Sequence, residues 1–86
     1  MKFTWDKEKR QTNLEKHGVD FTRASQIFGG RVVEWIDDRY DYGETRIRAL
    51  GVAGGEVLHL TYTWRGSARR IISARRANER ERRKYY

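Results

Sequence analysis

Apolar spacing in this chain changes near residue 30, from a helical period to a period of two. The first part reads as a short strand over residues 2–5 and two helices. Asp6 predicts an N-cap for a helix over 7–17, and Gly18 closes it at the left-handed position where glycine is favoured. Leu14 is almost the only apolar residue on this helix, so it belongs on the surface, anchored by Trp5 before it and Val19 after it. Asp20 caps a second helix, Val19 staples to Ala24, and Phe21, Ala24, Ile27 and Phe28 make an apolar stripe that ends at Gly29-Gly30.

The period of two predicts strands over 31–36, 44–52, 56–64 and 67–73. Between the first two lies the polar loop 37–43. The later connections, Ala53-Gly54-Gly55 and Arg65-Gly66, have the length of hairpin turns. Taking Arg65-Gly66 as a two-residue loop places Leu60 opposite Ile71 and Tyr62 opposite Arg69. His59 then faces Ile72, and Thr61 faces Arg70, on the reverse side. After this meander, Asn78 and Glu81 form a capping-box pair that opens a terminal helix. The expected fold class is α+β: two N-terminal helices, an antiparallel sheet of about four strands plus the short N-terminal strand, and a C-terminal helix, in one domain over 1–86.

Composition narrows the chemistry. The 86 residues contain no Cys and two His, which leaves too few soft ligands for a metal site, so neither metal nor cofactor is expected. No apolar run approaches the roughly 18 residues of a membrane span, and the chain opens directly into charged sequence. A cytoplasmic protein without a membrane partner is the expectation. Charge is distributed unevenly: Trp64 to Tyr86 carry eight Arg, one Lys and two Glu, whereas the first 63 residues balance ten basic against ten acidic groups. The whole net charge of +7 therefore sits at one end, which is the footprint of a polyanion partner such as nucleic acid.

Four segments carry a more specific signal: Phe3-Thr-Trp5-Asp6 with Lys9, Asn13 and Lys16-His17-Gly18; Val19-Asp-Phe21; Ile71-Ile-Ser73-Ala-Arg75-Arg76-Ala77; and Glu81-Arg82 with Tyr85. Together they resemble the BrnT family of bacterial toxins over nearly the whole chain, while residues 31–65 are generic. The resemblance implies a RelE-like fold and a ribonuclease that acts on RNA and arrests growth. It also implies a BrnA-like antitoxin that neutralises the toxin, and operator DNA bound only through the antitoxin complex.

A metal-independent ribonuclease needs a base for the attacking 2′-hydroxyl, cations for the charged transition state and an acid for the leaving 5′-oxygen. Arginine suits the second role because its planar fork bonds phosphate oxygens in pairs and stays charged. Arg75 and Arg76, placed at the strand-to-helix junction, and Arg82 match the family's close and are the first candidates. Arg65, Arg69, Arg70 and Arg83 extend the cluster as RNA contacts, and Lys9 lies two turns before His17 as a further phosphate contact. His17 reads either as the general acid/base or as a residue drawn to a helix C-terminus by the dipole. Tyr85 reads either as a phosphate or base contact or as a packing residue; Glu81 as a base or as the helix cap. Trp5, Trp35 and Trp64 are expected in the core, and His59 as a structural residue without a partner. The antitoxin is expected to cover part of the Arg75/Arg76 surface. Two other functions fit the charge: a non-catalytic module that binds nucleic acid or a partner, and a DNA-binding regulator, which is weaker because no helix-turn-helix spacing is visible.

Overall fold

A computed structural model describes residues 1–86. Five strands, β1 (Lys2–Trp5), β2 (Val33–Asp37), β3 (Arg46–Ala53), β4 (Glu56–Arg65) and β5 (Ala68–Arg76), form one sheet in the order β1-β5-β4-β3-β2. From β2 to β5 the chain is an antiparallel meander, and β1 joins it parallel to β5 as a fifth strand. Three helices accompany the sheet: α1 (Lys7–His17), α2 (Phe21–Ser25) and α3 (Glu79–Tyr85). None is long and apolar enough to cross a membrane.

The helix ends follow local chemistry. Asp6 accepts hydrogen bonds from the backbone of Glu8 and Lys9, and Gly18, at φ 69°, donates its N–H to the Leu14 carbonyl. Asn78 and Glu81 complete both halves of the capping box that opens α3. The second helix is shorter than its apolar stripe: after Ser25 the backbone tightens into a 3-10 turn over Gln26–Gly29. Close approach to the sheet accompanies this. A Cβ at Gly51 of β3 would lie 2.6 Å from the Ile27 Cβ, so the turn seats Ile27 directly on backbone.

The sheet separates two apolar clusters. On one side, called here the helix face, Leu58, Leu60, Tyr62, Ile71 and Ala74 pack beneath Val19, Phe21, Ala24 and Ile27. On the other, Leu50 and Val57 pack against Ala77 and Tyr85, with Val33 and Trp35 alongside. Because α3 covers only one end of this second face, the rest of it stays open.

The register differs from expectation. The turn between β4 and β5 is Gly66-Ser67, with positive φ at Gly66 alone, the pattern of a type II′ hairpin. Tyr62 therefore pairs with Ile71, Thr63 with Arg70 and Trp64 with Arg69, and a bulge at Thr61/Tyr62 shifts the ladder beyond it. Leu60 then meets Ala74, and His59 meets Arg75. The strand also runs on past residue 73: Arg76 pairs with Leu58, and the Ala77 N–H donates to the Val57 carbonyl at 3.0 Å. Arg75 and Arg76 are thus the last two residues of β5, at the strand-to-helix junction just before the Asn78 cap of α3, and as strand residues they alternate to opposite faces. Trp64, expected in the core, is 45 % exposed, whereas Trp5 packs on the helix-face cluster and Trp35 on the other.

Candidate nucleic-acid interface

Alternation along the strands puts Arg46 and Arg48 of β3, Thr61 and Thr63 of β4, and Arg70, Ser73 and Arg75 of β5 on the open face. At its covered end the side chains converge. Glu81, projecting from the first turn of α3, accepts from Arg75 through both oxygens, at 2.7 and 2.9 Å. Its Oε2 also lies 3.5 Å from Arg48 Nη2 and 3.8 Å from His59 Nε2. Arg48 Nε donates to His59 Nε2 at 2.9 Å, which assigns the imidazole proton to Nδ1. Trp35 closes the group: its ring meets His59 edge-on and carries Arg48 and Lys84 over its face at 5.1 and 4.0 Å. Arg80 and Lys84 line the same pocket, of about 260 Å³.

Electrostatics fixes the protonation states. Burial and the nearby Arg75 guanidinium push the His59 imidazole well below its ordinary value, so it is neutral at pH 7. Burial alone would raise the Glu81 carboxyl, but the hydrogen bonds from Arg75 and from the Asn78 backbone hold it well below the usual range. The site therefore contains a fixed carboxylate, two guanidiniums and a neutral imidazole. Arg75 spends three N–H groups on Glu81 and the Arg76 carbonyl, and its Nε–H and one Nη2 hydrogen remain for a phosphate.

The five residues expected to be catalytic are not together. Arg75 is in the group just described. Arg76 lies on the helix face, where it donates to Glu56 at 2.9 Å and to the His17 carbonyl at 3.2 Å. His17 lines a separate polar cleft between α1 and β5, beside Lys9, Lys16 and Ser73. Arg82 donates to the Ala77 carbonyl at 2.8 Å and so ties α3 to its own approach segment. Tyr85 takes the packing alternative: its ring is buried, and its hydroxyl donates to the Arg31 carbonyl at 2.9 Å, with the Arg31 guanidinium over the ring.

The expected RNA contacts are similarly dispersed. Arg65 pairs with Glu44 and Arg83 with Glu79, both at the exposed surface. Arg70 shares the open face with Arg75, while Arg69 lies on the helix face among Phe28, Tyr62 and Trp64. Sequence reasoning missed Arg48 and left His59 without a partner. The signal was present in the hairpin, since the true β4/β5 register sets His59 beside Arg75.

No curated protein matches the chain in sequence. Residues 5–81 match the family model described as the ribonuclease toxin, BrnT, of type II toxin–antitoxin systems. This span contains the open-face group and most of the motif residues near both ends, while Phe3, Arg82 and Tyr85 lie outside it. The chain belongs to the BrnT family of type II toxin–antitoxin ribonuclease toxins, a membership that implies an RNA substrate and an antitoxin partner.

Proposed function

We propose that this chain, as a single toxin domain over 1–86 with a RelE-like fold, is a cytoplasmic, metal-independent endoribonuclease neutralised by a BrnA-like antitoxin. Operator DNA is reached only through that complex. The observation that carries this reading is the convergence of Arg48, Arg75, His59 and Glu81 at the end of a basic sheet face. RNA lies along the open face, with Arg46 and Arg70 meeting the backbone and the scissile phosphate held by Arg75 and Arg48. When Arg48 turns to phosphate it withdraws from His59, and Nε2 becomes free to accept the 2′-hydroxyl proton. As the 2′-oxygen bonds to phosphorus the bond to the 5′-oxygen breaks, the guanidiniums stabilise the charge on the phosphorane-like transition state, and the leaving 5′-oxygen takes its proton from solvent water. Arg76, His17 and Lys9 act in this reading as contacts for flanking RNA on the other side of β5, and Arg82 and Tyr85 hold α3 in place.

The test is induction of the chain in a bacterium, with growth and RNA integrity followed for wild type, Arg75→Ala and His59→Ala, beside an in vitro digest containing chelator. Growth arrest with chelator-resistant cleavage that both variants lose supports the reading. Tight RNA binding without cleavage by the wild type establishes a non-catalytic binding module instead.

A further inference from the structure

A groove of about 370 Å³ opens on the helix face near the free edge of the sheet, lined by Glu34, Ile36, Ile47, Tyr62, Trp64 and Arg69. β2 is an edge strand, and on it Ile36 is 64 % exposed, close to the exposed Trp64. Soluble proteins rarely leave a β-branched apolar residue on an open strand edge beside an exposed Trp, because both invite association.

Arg69 gives the groove its specificity. Its guanidinium lies over the rings of Phe28, Trp64 and Tyr62 at 4.3, 4.6 and 5.3 Å. Whereas Arg10, Arg23, Arg39, Arg65 and Arg76 each meet a carboxylate of the chain, Arg69 forms no ion pair. Its Nε is buried without a hydrogen-bond partner. A guanidinium stacked among aromatic rings and left partly desolvated gains from a carboxylate more than a hydrated one does, because part of the desolvation cost is already met.

We infer that this groove docks a segment of a partner protein that presents a carboxylate to Arg69 and large apolar side chains to Ile36, Ile47 and Trp64. A nucleic-acid strand fits less well. Arg69 is the one cation in the lining and the Glu34 carboxylate, held at 2.6 Å by the Tyr62 hydroxyl, already offsets part of its charge, so the groove can match a single carboxylate among apolar side chains but not a phosphate at every nucleotide. A net charge of +7 favours an acidic partner on encounter. The partner's identity as the antitoxin rests on the toxin–antitoxin reading above. A segment anchored here can pass around the β2 edge toward the Arg75 surface on the opposite face.

The experiment is calorimetric titration of the full chain with its antitoxin, for wild type, Ile36→Glu and Arg69→Met, with RNA cleavage by each free chain measured in parallel. Ile36→Glu, at an exposed position outside the reactive group, is expected to raise Kd about 30-fold or more and to leave cleavage unchanged. Arg69→Met keeps the stacked volume and loses the charge, so its Kd is expected to rise about tenfold or more. Wild-type affinity in both variants overturns the inference. So does hydroxyl-radical footprinting in which a single-stranded RNA oligonucleotide protects Ile36 and Trp64 and the antitoxin does not. Self-association of the free chain that Ile36→Glu abolishes assigns the groove to a second copy and overturns it also. A wild-type chain that binds antitoxin without cleaving RNA defeats the ribonuclease reading while leaving the docking inference standing.

Discussion

Asn13 occupies the place on the outer edge of β5 that another strand would take. Its side-chain amide donates to the Ala74 carbonyl at 2.7 Å, and its oxygen accepts the Ala74 N–H at 3.2 Å, so one side chain reproduces the paired bonds of a strand neighbour. A further bond at 3.1 Å to the Val19 carbonyl ties the end of α1 to the start of the next helix. Parallel pairing with β1 ends at Ile71, and Asn13 continues edge protection three residues beyond it. This explains how a helix with so little apolar surface stays docked: a buried polar residue, not a stripe, holds it.

Asn13→Ala is accordingly expected to destabilise the protein by about 2–4 kcal/mol, since it leaves the Ala74 amide and two buried carbonyls unpaired. Urea unfolding is the measurement. Asn13→Asp should be no rescue, because it loses the donors and adds a buried charge.

Gly51→Ala is expected to cost about 1–3 kcal/mol by overpacking, as the new methyl meets the Ile27 Cβ on a turn packed against the sheet. Thermal melts of Gly51→Ala, Ile27→Ala and the double variant test the cause: a smaller loss from Gly51→Ala in the Ile27→Ala background, where the side chain beyond Cβ is gone and the turn can shift, identifies the clash.

Glu81→Gln leaves Arg75 and Arg48 without their shared counter-charge. The expected loss is about 2–3 kcal/mol, below the range for a fully buried pair because Arg75 keeps 33 % of its side chain in water. Gln can still complete the capping box, so retained helix content by circular dichroism separates the loss of charge from the loss of the cap.

Acid should weaken the fold from mildly acidic pH downward. An unfolded histidine takes up a proton below its ordinary 6.5, whereas His59 in the native state stays neutral well below that value. The unfolded chain therefore binds more protons in this window, and stability falls as pH falls. Glu81 continues the trend below its ordinary 4.5, because its native carboxyl stays ionised while the unfolded one protonates. Urea midpoints at pH 7, 6 and 5 for wild type and His59→Gln check this: the variant should show a shallower slope.

Under the proposed function, Arg75→Ala is expected to lower RNA cleavage about 100-fold, the loss typical of one transition-state donor, while Arg76→Ala retains most activity. Cleavage rates of the separate single variants decide it. Equal losses would show that both sides of β5 face the scissile bond.

Local chemistry alone determined much of this protein. Asp6, Gly18, Asp20 and the Asn78/Glu81 pair set the helix ends, because caps involve residues two to four apart and need no distant partner. The period of two set the meander, and the motifs at the two ends pointed to the family in which the chain belongs. The tertiary structure decided which side each β5 residue faces. A turn displaced by one residue and a bulge at Thr61/Tyr62 altered the pairing of the β4/β5 hairpin, and the extension of β5 turned Arg75 and Arg76 apart. Pairing register depends on contacts with β4 and on packing beneath α1 and α2, which no short window of sequence contains. For the same reason the association of His59 with Arg48, Arg75 and Glu81, drawn from three strands and a helix, is visible only in the folded chain.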